Sequence, residues 1–312
     1  MNNELKIKID NDLLSAYKNG PKSLLEIYNY VFSAKGKRIR PILTLLTSKS
    51  LYGEYNKSYQ AAIAIEMLHN FTLIHDDIMD NDFIRHGQRT VHEKWDVPNA
   101  ILSGDLILAL SLKTLTNSNY KTEVINTFTN GLVAVCEGQA LDKEFEDKKI
   151  VSEEEYLTMV EKKTAYLIAM AIKIGSQCYD ASEEIQNKLF NFGILIGKAF
   201  QIQDDLLEIT STPKIMKKSL DSDVLLGKKT YPIIIAQQYN QQIISDLLSN
   251  TNIDIELKLK SFKEFFFANK IDSEIKNKIN ELYEESINCL SNIKFKSNEL
   301  IGFTKLLMER NM

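Results

Sequence analysis

"AAIAIEMLHNFTLIHDDIMD", residues 61–80, is the stretch whose reading decides the fold. Residues 61–75 are apolar nearly all round, which suits a helix at the centre of a bundle rather than on its surface. Yet the run ends in three aspartates, Asp76, Asp77 and Asp80. A buried carboxylate without a partner costs more than a fold can spare, so something must neutralise these. Asp76 and Asp80 are i and i+4, on one helix face and about 6 Å apart along the axis. A second segment, 190–203, has the same character and runs into "FQIQDDLLE", which sets Asp204, Asp205 and Glu208 at the same spacing. A single acidic pentapeptide is readily a solvated helix end. Two copies, each closing an apolar helix, point to central helices that face each other and share hard cations.

Outward from these segments the pattern stays helical. "VSEEEYLTMVEKKTAYLIAMAIKIG" opens at Ser152, carries acids in its first turn and stops at Gly175, the grammar of a helix. "SEEIQNKLFNFGILIGKAFQIQDDLLEIT" repeats that grammar from Ser182. No run of alternating strands and no hairpin dipeptide stands out, so the expected class is all-α. Residues 210–230 mix Pro, Ser, Asp and Lys and are expected to form a loop. The expected architecture is a single domain over 1–312, with the motifs in a core of about 30–235 and peripheral helices over 240–312.

Composition limits the partners. The 312 residues are 44% hydrophobic and 26% charged with a formal net charge of −4, against a general nucleic-acid binder. Cys136, Cys178 and Cys289 lie far apart and suggest reduced thiols rather than a disulfide frame or zinc site. The N-terminal "MNNELKIKIDNDLL" has no apolar h-region, "MERNM" carries no lipidation signal, and no run reaches the length of a membrane span. A soluble, cytoplasmic protein is expected.

An all-oxygen set of carboxylates suits magnesium, which keeps several waters and takes substrate phosphates to complete its octahedron. The rival is a di-iron bundle with paired Glu-x-x-His motifs. Glu66 and His69 form one, but none of His75, His86 and His92 follows a glutamate by three. If phosphates complete the metal, fixed cations belong nearby. "GKRIRP" at 36–41 supplies Lys37, Arg38 and Arg40, and Arg85, Arg89, Lys163, Lys218 and Lys228 lie in or beside the other motifs.

Taken together and in this order, "GKRIRP", "HNFTLIHDDIMD", "NAILSGD", "EGQALDKEFE", "KKTAYL", "FQIQDD" and "SDVLLGKKT" resemble the trans-type isoprenyl diphosphate synthases of the polyprenyl synthetase family. The resemblance spans about residues 30 to 235. It implies an all-helical bundle around a deep apolar cavity, a homodimer, and head-to-tail condensation of isopentenyl diphosphate with an allylic diphosphate (dimethylallyl, geranyl or farnesyl). It also implies that released diphosphate takes the proton. Residue by residue, it makes Asp76 and Asp80 magnesium ligands supported by Asp77, and Asp204 the ligand of a further ion, three in all, with Asp205 and Glu208 near it and Asp223 outside. Lys163, Thr164, Gln201, Lys218 and Lys228 match positions around the allylic diphosphate and the developing cation. Arg85 matches the grip on the allylic diphosphate, and Lys37, Arg40 and His69 match the isopentenyl diphosphate pocket. Phe71, five residues before Asp76, matches a floor for the growing chain about 7.5 Å deeper. With small Thr72 beside it, it resembles the pattern of geranylgeranyl synthases, a C20 product, with C15 or longer chains as the alternatives.

Two positions depart from the family pattern. Glu208 stands where an aspartate usually closes the second motif. In "RHGQRT", His86 replaces an arginine and Arg89 the usual proline. An arginine is always charged and a histidine is not, so Arg89 is expected to supply the charge that His86 lacks in binding isopentenyl diphosphate. A terpene cyclase is disfavoured by "DDLLE" at its second metal position. A non-catalytic subunit of a heteromer typically loses one of the acidic motifs and both are kept here, but His86 leaves that alternative open.

Overall fold

The computed structural model describes residues 2–34, 36–210, 228–250 and 255–309. Among these the chain is almost wholly helical. In order come α1 (Asn2–Ser15), α2 (Lys22–Ser33), α3 (Ile39–Tyr52), α4 (Tyr59–Met79), α5 (Val91–Lys94), α6 (Val97–Asn117) and α7 (Thr122–Glu146). Then follow α8 (Glu153–Val160), α9 (Tyr166–Gln177), α10 (Glu183–Thr210), α11 (Tyr231–Tyr239), α12 (Gln241–Ser249), α13 (Ile255–Ala268), α14 (Ile271–Cys289) and α15 (Glu299–Met308).

The apolar helix over residues 61–75 lies within α4, and it is central. Ala61, Ala62, Ala64, Ile65, Met67 and Leu68 have no exposed surface at all. It packs along α6 and against α3 and α9. Its last turn is closed from outside by the Lys143 ammonium, which donates to the Met79 carbonyl oxygen at 3.1 Å, a cation at the negative helix end. α10 is the second central helix, packed on α9 and α14. α6 starts where Asp96 accepts from the Asn99 amide at 2.8 Å, with Pro98 in the first turn. α8 starts at a capping box between Ser152 and Glu155.

Four features differ from the sequence expectation. The helix over 152–175 does not stop at Gly175. A Cβ there would lie 2.4 Å from the Thr44 carbonyl oxygen, so this glycine serves the close approach of α9 to α3, and the helix runs to Gln177. It is also interrupted, since residues Glu161–Ala165 form a π-helical turn between α8 and α9. A hairpin exists after all: Ile84–Arg85 (β1) pairs antiparallel with Gln88–Arg89 (β2). His86 and Gly87, at φ 52 and 76, form its turn, the positive-φ pattern of type I′. Finally, the helices after 240 are not all peripheral. Ile271, Ile275 and Ile279 of α14 are buried in the same cluster as Ile202 and Leu206 of α10, and the Gln203 amide donates to the Met308 carbonyl oxygen at 2.7 Å.

Candidate active site

The acidic ends of α4 and α10 are stationed by helix contacts that only small residues allow. A Cβ at Gly197 would lie 2.4 Å from Ala165 Cα, and one at Gly138 would lie 2.2 Å from the Lys163 nitrogen. α10 and α7 therefore touch the backbone of the π-turn from two sides. Such a turn carries one extra residue and often marks functional sites. Here it presents Lys163 and Thr164.

Lys163 Nζ lies 2.6 Å from Asp142 Oδ2 and 3.5 Å from Asp76 Oδ1, so α7, α4 and the π-turn meet at one ammonium. Lys228 Nζ lies 2.9 Å from Asp80 Oδ2. Three residues on, the Tyr231 amide donates to Asp205 Oδ2 at 2.9 Å. The stretch 228–231 thus ties the first acidic motif to the second. Burial raises the Asp76 carboxyl above its ordinary pKa, with Lys163 opposing. Burial also acts on Asp80, but Lys228 outweighs it and holds that carboxyl below the usual range. Lys163 stays firmly protonated, since Asp76 and Asp142 overcome its desolvation.

The paired acids of each motif have separate fates. Asp77 turns away from Asp76 and is buried against the Arg85 guanidinium, which also reaches Asp82 at 2.9 Å. Burial lifts Asp77 to about 6 against the pull of Arg85. Asp205 is buried as well. Its Oδ2 accepts from Tyr156 Oη at 2.6 Å and from the Tyr231 amide, and its Oδ1 accepts from Gln201 Nε2 at 2.8 Å. Gln201 in turn accepts from Thr164 Oγ1 at 3.0 Å. Both second aspartates are thus engaged by protein donors. Glu208 and Asp204 are half-buried on α10, and the Asp204 charge is felt at Arg40.

The three cations of "GKRIRP" also separate. Arg38, in a left-handed conformation just before α3, is buried and bonded to Glu66 at 2.8 Å and Asp10 at 2.7 Å. It is a structural cation, and Glu66 is thereby occupied, which removes the one Glu-x-x-His motif as a metal site. Arg40 Nη1 lies 3.0 Å from His69 Nε2. Burial lowers Arg40 to about 10 and drives His69 well below its ordinary pKa, Arg40 adding to the latter. His69 is therefore a neutral partner of a charged arginine. Lys37 is exposed.

The hairpin does not bring Arg89 to this site. In its register Arg85 faces Gln88 while Arg89 faces Ile84, so the two arginines occupy opposite faces of the ribbon. Arg89, 64% exposed, is held by the Glu93 carbonyl oxygen and lies 3.8 Å from the Glu93 carboxylate. His86 is exposed at the tip. Phe71 is half-buried on α4, with its ring 4.7 Å from that of His75. Lys218 and Asp223 lie outside the described residues.

Sequence reasoning passed over two residues of "EGQALDKEFE". Asp142 is the carboxylate nearest Lys163, and Gln139, one turn before it, is buried with no hydrogen-bond partner for either amide atom among the described residues. The same is true of Asp80 Oδ1, His69 Nδ1 and Arg40 Nε. Buried polar atoms are nearly always satisfied, so orphans gathered on the residues of one site call for a ligand. Asp80 Oδ1, a bare anionic oxygen beside Asp76 and Asp142, fits a hard cation. Among the described residues no three acidic, histidine or cysteine side chains close on one point as a cage.

Comparison with known proteins gives the family. The family model described as polyprenyl synthetase matches residues 21–265. The geranylgeranyl pyrophosphate synthase of Geoglobus acetivorans is 38% identical over 256 residues, covering 81% of this chain and 79% of that protein. The geranylgeranyl diphosphate synthase of Sulfolobus acidocaldarius is 36% identical over 300 residues, 92% of this chain and 90% of the other. A crystal structure of a geranylgeranyl pyrophosphate synthase superposes with a TM-score of 0.93 at 29% identity, covering 100% of this chain and 99% of that one. No helix of the described residues is long and apolar enough to cross a membrane. The chain belongs to the polyprenyl synthetase family.

Proposed function

We propose that the protein condenses isopentenyl diphosphate head-to-tail with an allylic diphosphate and releases an all-trans C20 diphosphate. The observation that carries this reading is the meeting of Asp76, Asp80 and Asp142 with Lys163 and Lys228 at one end of the bundle, with a buried Asp80 oxygen left bare. Asp76, Asp80 and Asp142 on one side, and Asp204 with Glu208 on the other, would hold up to three magnesium ions. Magnesium would supply positive charge to the departing diphosphate.

The chain's own groups do the rest. Lys163 and Lys228 pair with the carboxylates of the site, and their ammonium groups would stabilise negative charge as it grows on the departing diphosphate. Arg85, held by Asp77 and Asp82, keeps its guanidinium beside the same phosphates. Arg40, paired with neutral His69, offers a forked donor to the second diphosphate, and Lys37 a point charge. Thr164 and Gln201 supply oxygen dipoles near the carbon that becomes positive, in a site dry enough for them to count. The tail then lies along α4, and Phe71 limits its length. The geranylgeranyl synthases among the relatives support C20 over C15 or longer products. Exposed Ile101 and Leu102 on α6 and Val133 on α7 support a homodimer, which light scattering would test.

The deciding experiment is a product assay with labelled isopentenyl diphosphate and each allylic starter, with and without chelator. Wild type should make a C20 chain only when magnesium is present. Asp76→Ala and Asp204→Ala should remove nearly all turnover while circular dichroism stays helical. Near-normal turnover by either variant in saturating magnesium overturns the assignment.

A further inference from the structure

Asp205 is the most fully bonded carboxylate near the site, and what it is bonded to fixes the direction of every proton in a chain. A carboxylate only accepts, and the Tyr231 amide only donates. With Tyr156 Oη and the Tyr231 amide both on Oδ2, Oδ1 must face a donor, and the group it faces is the Gln201 side-chain amide at 2.8 Å. That pins the Gln201 nitrogen towards Asp205 and its oxygen towards Thr164. The Thr164 hydroxyl must then donate to Gln201, at 3.0 Å. Its own proton is spent, and no donor among the described residues is bonded to its lone pairs, beside Lys163.

We propose that Asp205 is a positioning residue that sets the donor direction along Asp205, Gln201 and Thr164, so that Thr164 meets the reacting carbon with its lone pairs and not its proton. The inference rests on the prenyl-transfer reading, in which positive charge develops next to Thr164. An oxygen whose dipole is fixed before charge appears stabilises that charge without reorganisation. The wrong direction would aim a partly positive hydroxyl hydrogen at a cation. The carboxylate does this from one residue beyond Asp204, on the turn of α10 that follows Gln201. Its work is the protein's internal polarity.

The test exchanges acid and amide. In Asp205→Asn the shape is kept: the side-chain oxygen still accepts from Tyr156 and Tyr231, and the introduced amide nitrogen forces Gln201 to turn its oxygen inward. The Gln201 nitrogen then donates to Thr164, and the threonine proton is free to swing into the site. We expect kcat to fall on the order of 10²-fold, with KM for both substrates and the magnesium concentration for half-maximal rate within about threefold of wild type. In the double variant Gln201→Glu with Asp205→Asn, the acid sits at 201 and accepts from both neighbours, so Thr164 donates again. Its kcat should rise about tenfold or more above that of Asp205→Asn. Tyr156→Phe removes one donor but leaves the carboxylate accepting from Gln201, so it should lower thermal stability and keep kcat.

A single variant that retains kcat overturns the proposal, as does a double variant that stays as slow as the single one. A large shift in the magnesium requirement of Asp205→Asn also overturns it, because that marks a metal ligand. If the single variant fails to fold, Tyr156→Phe carries the test: its Asp205 carboxylate still accepts from Gln201, so a loss of kcat of more than about tenfold in it refutes the idea. Wild-type turnover is the control that separates this outcome from failure of the prenyl-transfer reading itself.

Discussion

Gly197→Ala tests how tightly the site depends on helix approach. The added methyl would lie 2.4 Å from Ala165 Cα and 2.6 Å from Ala165 Cβ. Carbon atoms rest at about 3.5 Å or more, so α10 must retreat from the π-turn by roughly 1 Å. Gln201 is one turn further along the same face of α10 and moves with it. Its 3.0 Å hydrogen bond from Thr164 then stretches to about 4 Å, beyond the range of a hydrogen bond. Overpacking of this kind costs about 1–3 kcal/mol, partly offset by the better helix propensity of alanine. For a chain of 312 residues, a net loss of about 2 kcal/mol lowers Tm by only about 3 °C. Misplacing a catalytic group by 1 Å costs far more, on the order of 10²-fold in rate. The expected result is a folded enzyme, slightly less stable, with kcat reduced about 100-fold. Gly193→Ala is the control: its methyl would lie 2.4 Å from Ala169 Cα, an equally tight contact, but two turns from Gln201. It should show a similar drop in Tm with a much smaller loss of kcat. If Gly197→Ala keeps kcat within twofold while Tm falls, or if the two variants lose activity equally, the close approach does not position Gln201.

Arg38→Met should destabilise the fold by about 3–5 kcal/mol, because it strands the Glu66 carboxylate in the core; a urea midpoint close to wild type would refute this. Phe71→Ala should lengthen the product beyond C20 when chains are resolved by reversed-phase chromatography, and an unchanged distribution would remove Phe71 as the floor. Arg89→Ala should leave KM for isopentenyl diphosphate within about twofold, as expected of an exposed side chain held by Glu93 on the far face of the hairpin. A rise of tenfold would restore the idea that Arg89 compensates for His86.

The two acidic motifs were legible because their signal is local and doubled. A carboxylate at the end of an all-round apolar helix contradicts burial unless something binds it, and the contradiction is visible within one window of sequence. The helices carrying them were legible for the same reason, since burial on every side leaves no polar face to misread. Asp76 and Asp80 stand with Lys163, Lys228 and Asp142 at the end of α4. Asp142 itself escaped because it is one of four acids in "EGQALDKEFE", and nothing in the sequence sets it apart from the other three on a solvated helix. Only the approach of α7 to the π-turn, across Gly138, singles it out.

What could not be read was which member of a like pair does which task. Arg38 and Arg40 differ by two residues and are both arginine, yet Arg38 is spent on Glu66 and Asp10 while Arg40 faces the site with neutral His69. Their separation depends on Arg38 lying in a left-handed conformation just outside α3, a backbone choice that sequence spacing does not carry. Asp76 and Asp77, and likewise Asp204 and Asp205, are adjacent on a helix and so point about 100° apart. One of each pair must face the opposing helix and the other its own flank. The sequence states that both are acids; the packed neighbours decide that Asp77 holds Arg85 and Asp205 holds Gln201. A doubled aspartate at the end of a buried helix is therefore two instructions in adjacent positions. One supplies charge to the ligand, and the other fixes the side chains that will meet it.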